Sequence, residues 1–123
     1  MLIDDARLNE LTGNILACAI EVHRVLGPGL LESTYAACVG LELTARGRPF
    51  TREQPIAITY KDLRIEGAYR ADLLVADVVV VEIKCVEVLA PVHKAQLVTC
   101  MRLAKKPAGL LINFHVARLM DGV

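Results

Sequence analysis

Tryptophan is missing from this chain of 123 residues, and three Tyr and two Phe are its whole aromatic content. With so few rings, a row of stacking platforms for unpaired bases has little to be built from. Net charge is missing as well, because fourteen basic residues offset fourteen acidic ones. No global field then draws the protein onto a polyanion, and any grip on nucleic acid rests on a local basic patch. No apolar stretch reaches the roughly 18 uninterrupted residues of a membrane span. The N-terminal MLIDDARLNE puts no basic head before an apolar core. The chain therefore reads as soluble, not exported, and cytoplasmic, with no membrane partner. Cys18, Cys38, Cys85 and Cys100 lie far apart in apolar surroundings. That leaves neither a zinc-ligand spacing nor a disulfide framework, and fits buried thiols in a reducing cytoplasm. Internal repeats, low-complexity tracts and linkers are absent too.

What the chain does have is apolar content, 54% of its residues, ample for one core in one domain over residues 1–123. The most informative part of it is residues 69 to 84, YRADLLVADVVVVEIK. Two apolar runs that read as a β-hairpin are interrupted by Asp72 in one and by Glu82 and Lys84 in the other. Strands this rich in Val and Ile are buried on both faces, so a carboxylate inside them is costly unless something binds it. Alternation points Glu82 and Lys84 to the same face and Ile83 to the opposite layer. Folding back through Ala76-Asp77 brings Asp72 close to Glu82. Two carboxylates and one ammonium at the end of a greasy sheet are the makeup of a divalent-cation site with a general-base or charge-stabilising lysine.

Around this hairpin the expected elements are helix, helix, three strands, helix, strand. Asp4 and Asp5 cap a first helix whose apolar positions Leu8, Leu11, Ile15, Ala19, Val22 and Leu26 recur every three or four residues, ending at Gly27-Pro28. His23, near its C-terminus, suits the helix dipole. A second helix follows and ends at Gly47. Glu32 lies in its first turn, where an acid either serves the dipole or, with Gly27 and Gly29 letting the helix start approach the sheet, reaches the Asp72 and Glu82 patch. QPIAITY, LRIEGAYRADLLV and VVVVEIKC read as strands, with a turn at Lys61-Asp62 and a bulge or bend at Gly67. Arg70 shares the face of Asp72 if its strand is regular, and meets either that carboxylate, a substrate phosphate or an ordinary surface partner. A third helix has Pro91 in its first turn. It carries His93, Gln96 and Cys100 on one stripe, with Gln96 either orienting a water or phosphate or sitting at a helix margin. His93, without a second His or Cys nearby, makes a poor metal ligand. PAGLLINF is a last buried strand, returning into the same sheet.

The order of elements, with Asp72 on the second strand and Glu82-Ile83-Lys84 on the third, resembles the restriction-endonuclease-like α/β core of the PD-(D/E)XK nuclease superfamily. Here that core is preceded by an extra N-terminal helix. The run Gly29-Leu30-Leu31-Glu32-Ser33-Thr34-Tyr35, followed by YRADLLV, VVVEIKC, VHKAQL and GLLINF, resembles in particular the GxxExxY proteins, a small bacterial group of that superfamily. The likeness spans roughly residues 10 to 122. Two departures stand out: Arg70-Ala71-Asp72 replaces Pro-Asp, and Cys100 stands where an aromatic is expected after Ala95-Gln96.

The resemblance implies a Mg2+-dependent (or Mn2+-dependent) nuclease acting on nucleic acid, DNA before RNA. Asp72, Glu82 and the Ile83 carbonyl would hold the metal, Lys84 would stand by the attacking water or the phosphate, and Glu32 and Gln96 would complete the catalytic set. Arg70 is the candidate phosphate contact. A non-catalytic module of the same fold, binding nucleic acid or protein through the old cleft, is the rival, and an obligate subunit of a larger assembly a third reading. So small a chain offers little surface for a specific site, which leads us to expect a homodimer.

Overall fold

A computed structural model of the chain describes residues 3–123. Helix α1, Asp5–Leu26, starts where the Asp4 carboxylate accepts the Arg7 N–H and ends at Gly27. It buries Leu11, Ile15, Cys18, Ala19, Val22 and His23. The expected stripe thus gains Cys18 and His23, while Leu26 stays 39% exposed. His23 Nε2 donates to the Val116 carbonyl at 2.8 Å, a role inside the core.

Helix α2, Glu32–Ala45, follows a sharp connection in which Gly29 takes φ +107°, open only to glycine. Tyr35, fully buried, stacks on Phe114 at 4.3 Å between ring centroids. Its hydroxyl donates to the Gly27 carbonyl and accepts the Leu30 N–H. One buried ring thereby ties down the loop that delivers Glu32 to the helix start. The helix stops two residues short of Gly47, because the Arg46 N–H already closes the last turn onto Glu42 and Leu43.

Strands β1 (Phe50–Tyr60), β2 (Leu63–Val75) and β3 (Val79–Lys84) form an antiparallel meander. Helix α3, Pro91–Ala104, then leads to β4, Ala108–Asn113, which runs parallel to β3 in the sheet order β1-β2-β3-β4. The third strand expected from the sequence, VVVVEIKC, loses Val78 and Cys85, since β3 runs only from Val79 to Lys84. Gly67 does mark a bulge: it has φ +60°, and the β1–β2 register shifts between Ile56 and Ile58. A 3₁₀ turn, Leu119–Gly122, closes the described chain.

Alternation sorts the two layers. Leu73, Val75, Val79, Val81 and Ile83 pack with α1 and α2, while Leu74 and Val80 pack with Leu97 and Cys100 of α3. β3 is therefore buried on both faces, as its unbroken Val and Ile content implied. Among the described residues no helix is long and apolar enough to cross a membrane, and all four cysteines are free thiols.

The β2–β3 turn sets the register that matters for the site. Ala76 and Asp77 both take positive φ, 53° and 58°, and the Val78 N–H returns to the Val75 carbonyl at 3.0 Å. The Val75–Val78 bond and the two left-handed residues match a type I′ turn, which favours Asn and Gly and strains Ala. Ala76→Gly is accordingly expected to raise stability by about 1 kcal/mol in urea denaturation. A loss of stability would remove the strain from the turn.

Candidate active site

Asp72 sits where the β2–β3 ladder gives out. Register pairs run from Val75↔Val79 to Leu73↔Val81 and stop there. On its other side β1 pairs Arg52 with Leu73 and Gln54 with Ala71 but skips Glu53, which is left-handed at φ 50°. The side chains change phase at the same point: Leu73 enters the α1–α2 core, whereas Ala71 and Leu74 both enter the α3 cluster. With the ladder gone, the Ile83 N–H is taken by Asp72 Oδ2 at 2.7 Å. That bond fixes the Asp72 carboxyl against the strand that carries Glu82.

Glu82 follows Val80 on the α3 side of the sheet and is only 5% exposed. Burial, reinforced by the Asp72 carboxylate, pushes its pKa up to about 7, and Lys84 opposes the shift. Burial also raises Asp72; the Ile83 N–H and Lys84 pull it down, and Glu32 pushes it up. Lys84, half-buried at the end of β3, thus acts on both carboxyls, although among the described residues it forms no direct ion pair. Glu32 lies near them too: its Oε1 accepts the Cys85 N–H at 3.3 Å. The structure therefore brings together Asp72, Glu82, Lys84 and Glu32.

The remaining candidates fall differently. Ile83 buries its side chain in the α1–α2 core, leaving its backbone as its contribution. Gln96 is exposed; α3 meets the sheet through Leu97 and Cys100, and Gln96 stands one turn before Cys100 on that margin. Arg70 lies 3.9 Å from Glu53 in an exposed pair, and the phase change at Asp72 removes the regular strand on which their shared face depended. His93 accepts the Ala90 N–H at 3.0 Å and so serves the start of α3.

Two neighbours of Glu82 escaped the sequence reading as site residues. Burial and Glu82 together raise the Cys100 thiol to about 11. Burial, then Glu82, Cys100 and Asp72, push the Tyr69 phenol well above its ordinary value. The signal available for Tyr69 was its place three residues before Asp72, which a regular strand would have sent to the other face.

Whether these residues suit a cation can be judged from Glu82 itself. Its Oε1 is a buried side-chain oxygen with no hydrogen-bond partner. Leaving a buried acceptor unsatisfied costs about 1–3 kcal/mol unless some other group meets it. Among the described residues no three His, Cys, Asp or Glu side chains converge as a complete metal cage. Two carboxylates plus backbone oxygen, with open positions, suit a hard ion that keeps its waters and takes substrate phosphate, such as Mg2+ or Mn2+. They do not suit a closed zinc site.

Comparison with known proteins agrees with this geometry. A family model of the PD-(D/E)XK nuclease superfamily matches residues 9–123. No curated protein and no solved structure matches the chain.

Proposed function

Because the chain belongs to the PD-(D/E)XK nuclease superfamily over residues 9–123, whose members generally use divalent metal ions, we propose that it hydrolyses phosphodiester bonds in nucleic acid, DNA above RNA, with Mg2+ or Mn2+. The observation that carries this reading is the buried, unpartnered Glu82 Oε1 beside Asp72. A carboxyl in that state is built to meet a cation.

Asp72, Glu82 and the Ile83 carbonyl would hold the ion; the Asp72 oxygen that accepts the Ile83 N–H is already oriented by that bond. A divalent ion so held supplies a water of lowered pKa and neutralises charge developing on phosphoryl oxygens. Lys84 sets a fixed positive charge next to the carboxylates, where it holds the scissile phosphate or the attacking water. Glu32, anchored on the Cys85 N–H, would help place the attacking water or a second ion. Gln96, exposed at the α3 margin, contacts the substrate backbone.

The rival reading is a non-catalytic binding module. It draws on the surface charges, several of which neutralise each other in pairs such as Arg48–Glu10 and Arg64–Glu66 instead of lining a basic groove. Calorimetric titration of Mn2+ or Mg2+ into wild type and Asp72→Ala separates the two. Wild type is expected to bind and the variant to give no heat. If wild type is silent in the presence of nucleic acid as well, the metal-dependent reading fails and the binding module replaces it.

A further inference from the structure

Glu82 meets its surroundings through more than Asp72. Tyr69, three residues upstream of Asp72 on β2 and paired with Ile56 across the ladder, sits on the α3 side of the sheet. Its half-buried ring packs against the cluster of Ile56, Ala71, Leu74, Val80, Leu97 and Cys100. Glu82, next but one after Val80, points to the same side; with Oε1 left for the cation, Oε2 is the oxygen a donor here would meet. Among the described residues of this cluster the phenol is the only O–H donor, the rest being aliphatic side chains, the Met101 thioether and the weakly donating Cys100 thiol.

We propose that Tyr69 is a positioning residue for the metal site: its hydroxyl donates to the Glu82 carboxylate oxygen turned away from the ion, holding the carboxylate in its ligating orientation. The inference rests on the metal reading above and extends it to a residue outside the ligand set. Two features make the role physically apt. The ring is locked by packing, so the hydroxyl is delivered without ordering a flexible side chain. The surroundings are apolar, which strengthens a hydrogen bond to an ionised group. Partners that orient a ligating group commonly change metal affinity by about 10- to 100-fold when removed.

The test compares Mn2+ affinity of wild type, Tyr69→Phe and Tyr60→Phe, together with metal-free melting temperatures. Phe keeps the ring and its packing, so the metal-free melt of Tyr69→Phe should match wild type while Mn2+ affinity falls about tenfold or more. Tyr60, 63% exposed on the outer hairpin, should leave both unchanged. Equal Mn2+ affinity of wild type and Tyr69→Phe overturns the positioning role and leaves the metal site standing. A wild type that binds no Mn2+ overturns the metal site, and the role of Tyr69 with it.

Discussion

Lys84→Ala is expected to leave the protein folded and to lower metal-dependent cleavage of nucleic acid by at least about a hundredfold, the range seen when a positioned acid-base or charge-stabilising group is lost. Lys84 is the final residue of β3 and pairs in register with Asn113, so its backbone is held whatever its side chain. The side chain is half-buried and, among the described residues, no ion pair fixes it, so the core loses no bridge when it is removed. Its charge nevertheless lowers the pKa of both Asp72 and Glu82. Without it both carboxyls hold their protons to higher pH, and the site weakens toward a cation as well as toward the phosphate. Lys84→Arg keeps the charge and should restore metal affinity more fully than cleavage, because a planar fork does not reproduce a compact ammonium. Cleavage assays on linear and branched DNA, alongside thermal melts, give the answer. Wild-type cleavage by Lys84→Ala would take the lysine out of the chemistry.

How far the sequence showed this site depends on the residue. Asp72, Glu82 and Lys84 were legible because each interrupts a run of Val, Ile and Leu in which a charge is expensive. Glu32 was legible only in part. Its helical position followed from the glycines before it, but its hold on the Cys85 N–H depends on a loop after β3 that no periodicity describes. That the Tyr35 hydroxyl ties the Gly27–Leu30 loop is a tertiary fact, which no spacing in the sequence shows. The face Arg70 was expected to share with Asp72 does not form, for a definite reason. Its shared face with Asp72 assumes an unbroken pleat, yet the ladder ends at Leu73 and side chains change phase there. The same break is what frees the Ile83 N–H for Asp72, so the feature that hides the geometry from the sequence is the one that makes the site. Tyr69 was hidden by it in the same way.

The break also gives the site a thermodynamic signature that needs no substrate. Glu82 titrates near pH 7 in the folded chain against an ordinary value of 4.5. Below pH 4.5 it is protonated in both folded and unfolded states and contributes no pH dependence. Between there and about pH 7 the unfolded chain ionises while the folded chain keeps its proton, so stability is lost as pH rises. At ~1.4 kcal/mol per pH unit the loss reaches up to about 3 kcal/mol and then levels off. Asp72 is raised in the same direction and steepens the fall. Glu82→Gln, which cannot ionise, should therefore be more stable than wild type by about 2 kcal/mol at pH 8 in the presence of a chelator, with the gap closing at pH 4. Saturating Mn2+ should stabilise wild type at pH 8 and leave the variant unmoved, narrowing or reversing the difference, because the cation binds only the ionised carboxylate. Urea denaturation at several pH values, with chelator and with Mn2+, measures both effects. If wild type and Glu82→Gln shared one pH slope, Glu82 would not be the buried acid the structure describes. If the slopes differ as expected, the protein holds its carboxylates together at a stability loss that only a cation relieves, which is how a binding site differs from a structural ion cluster.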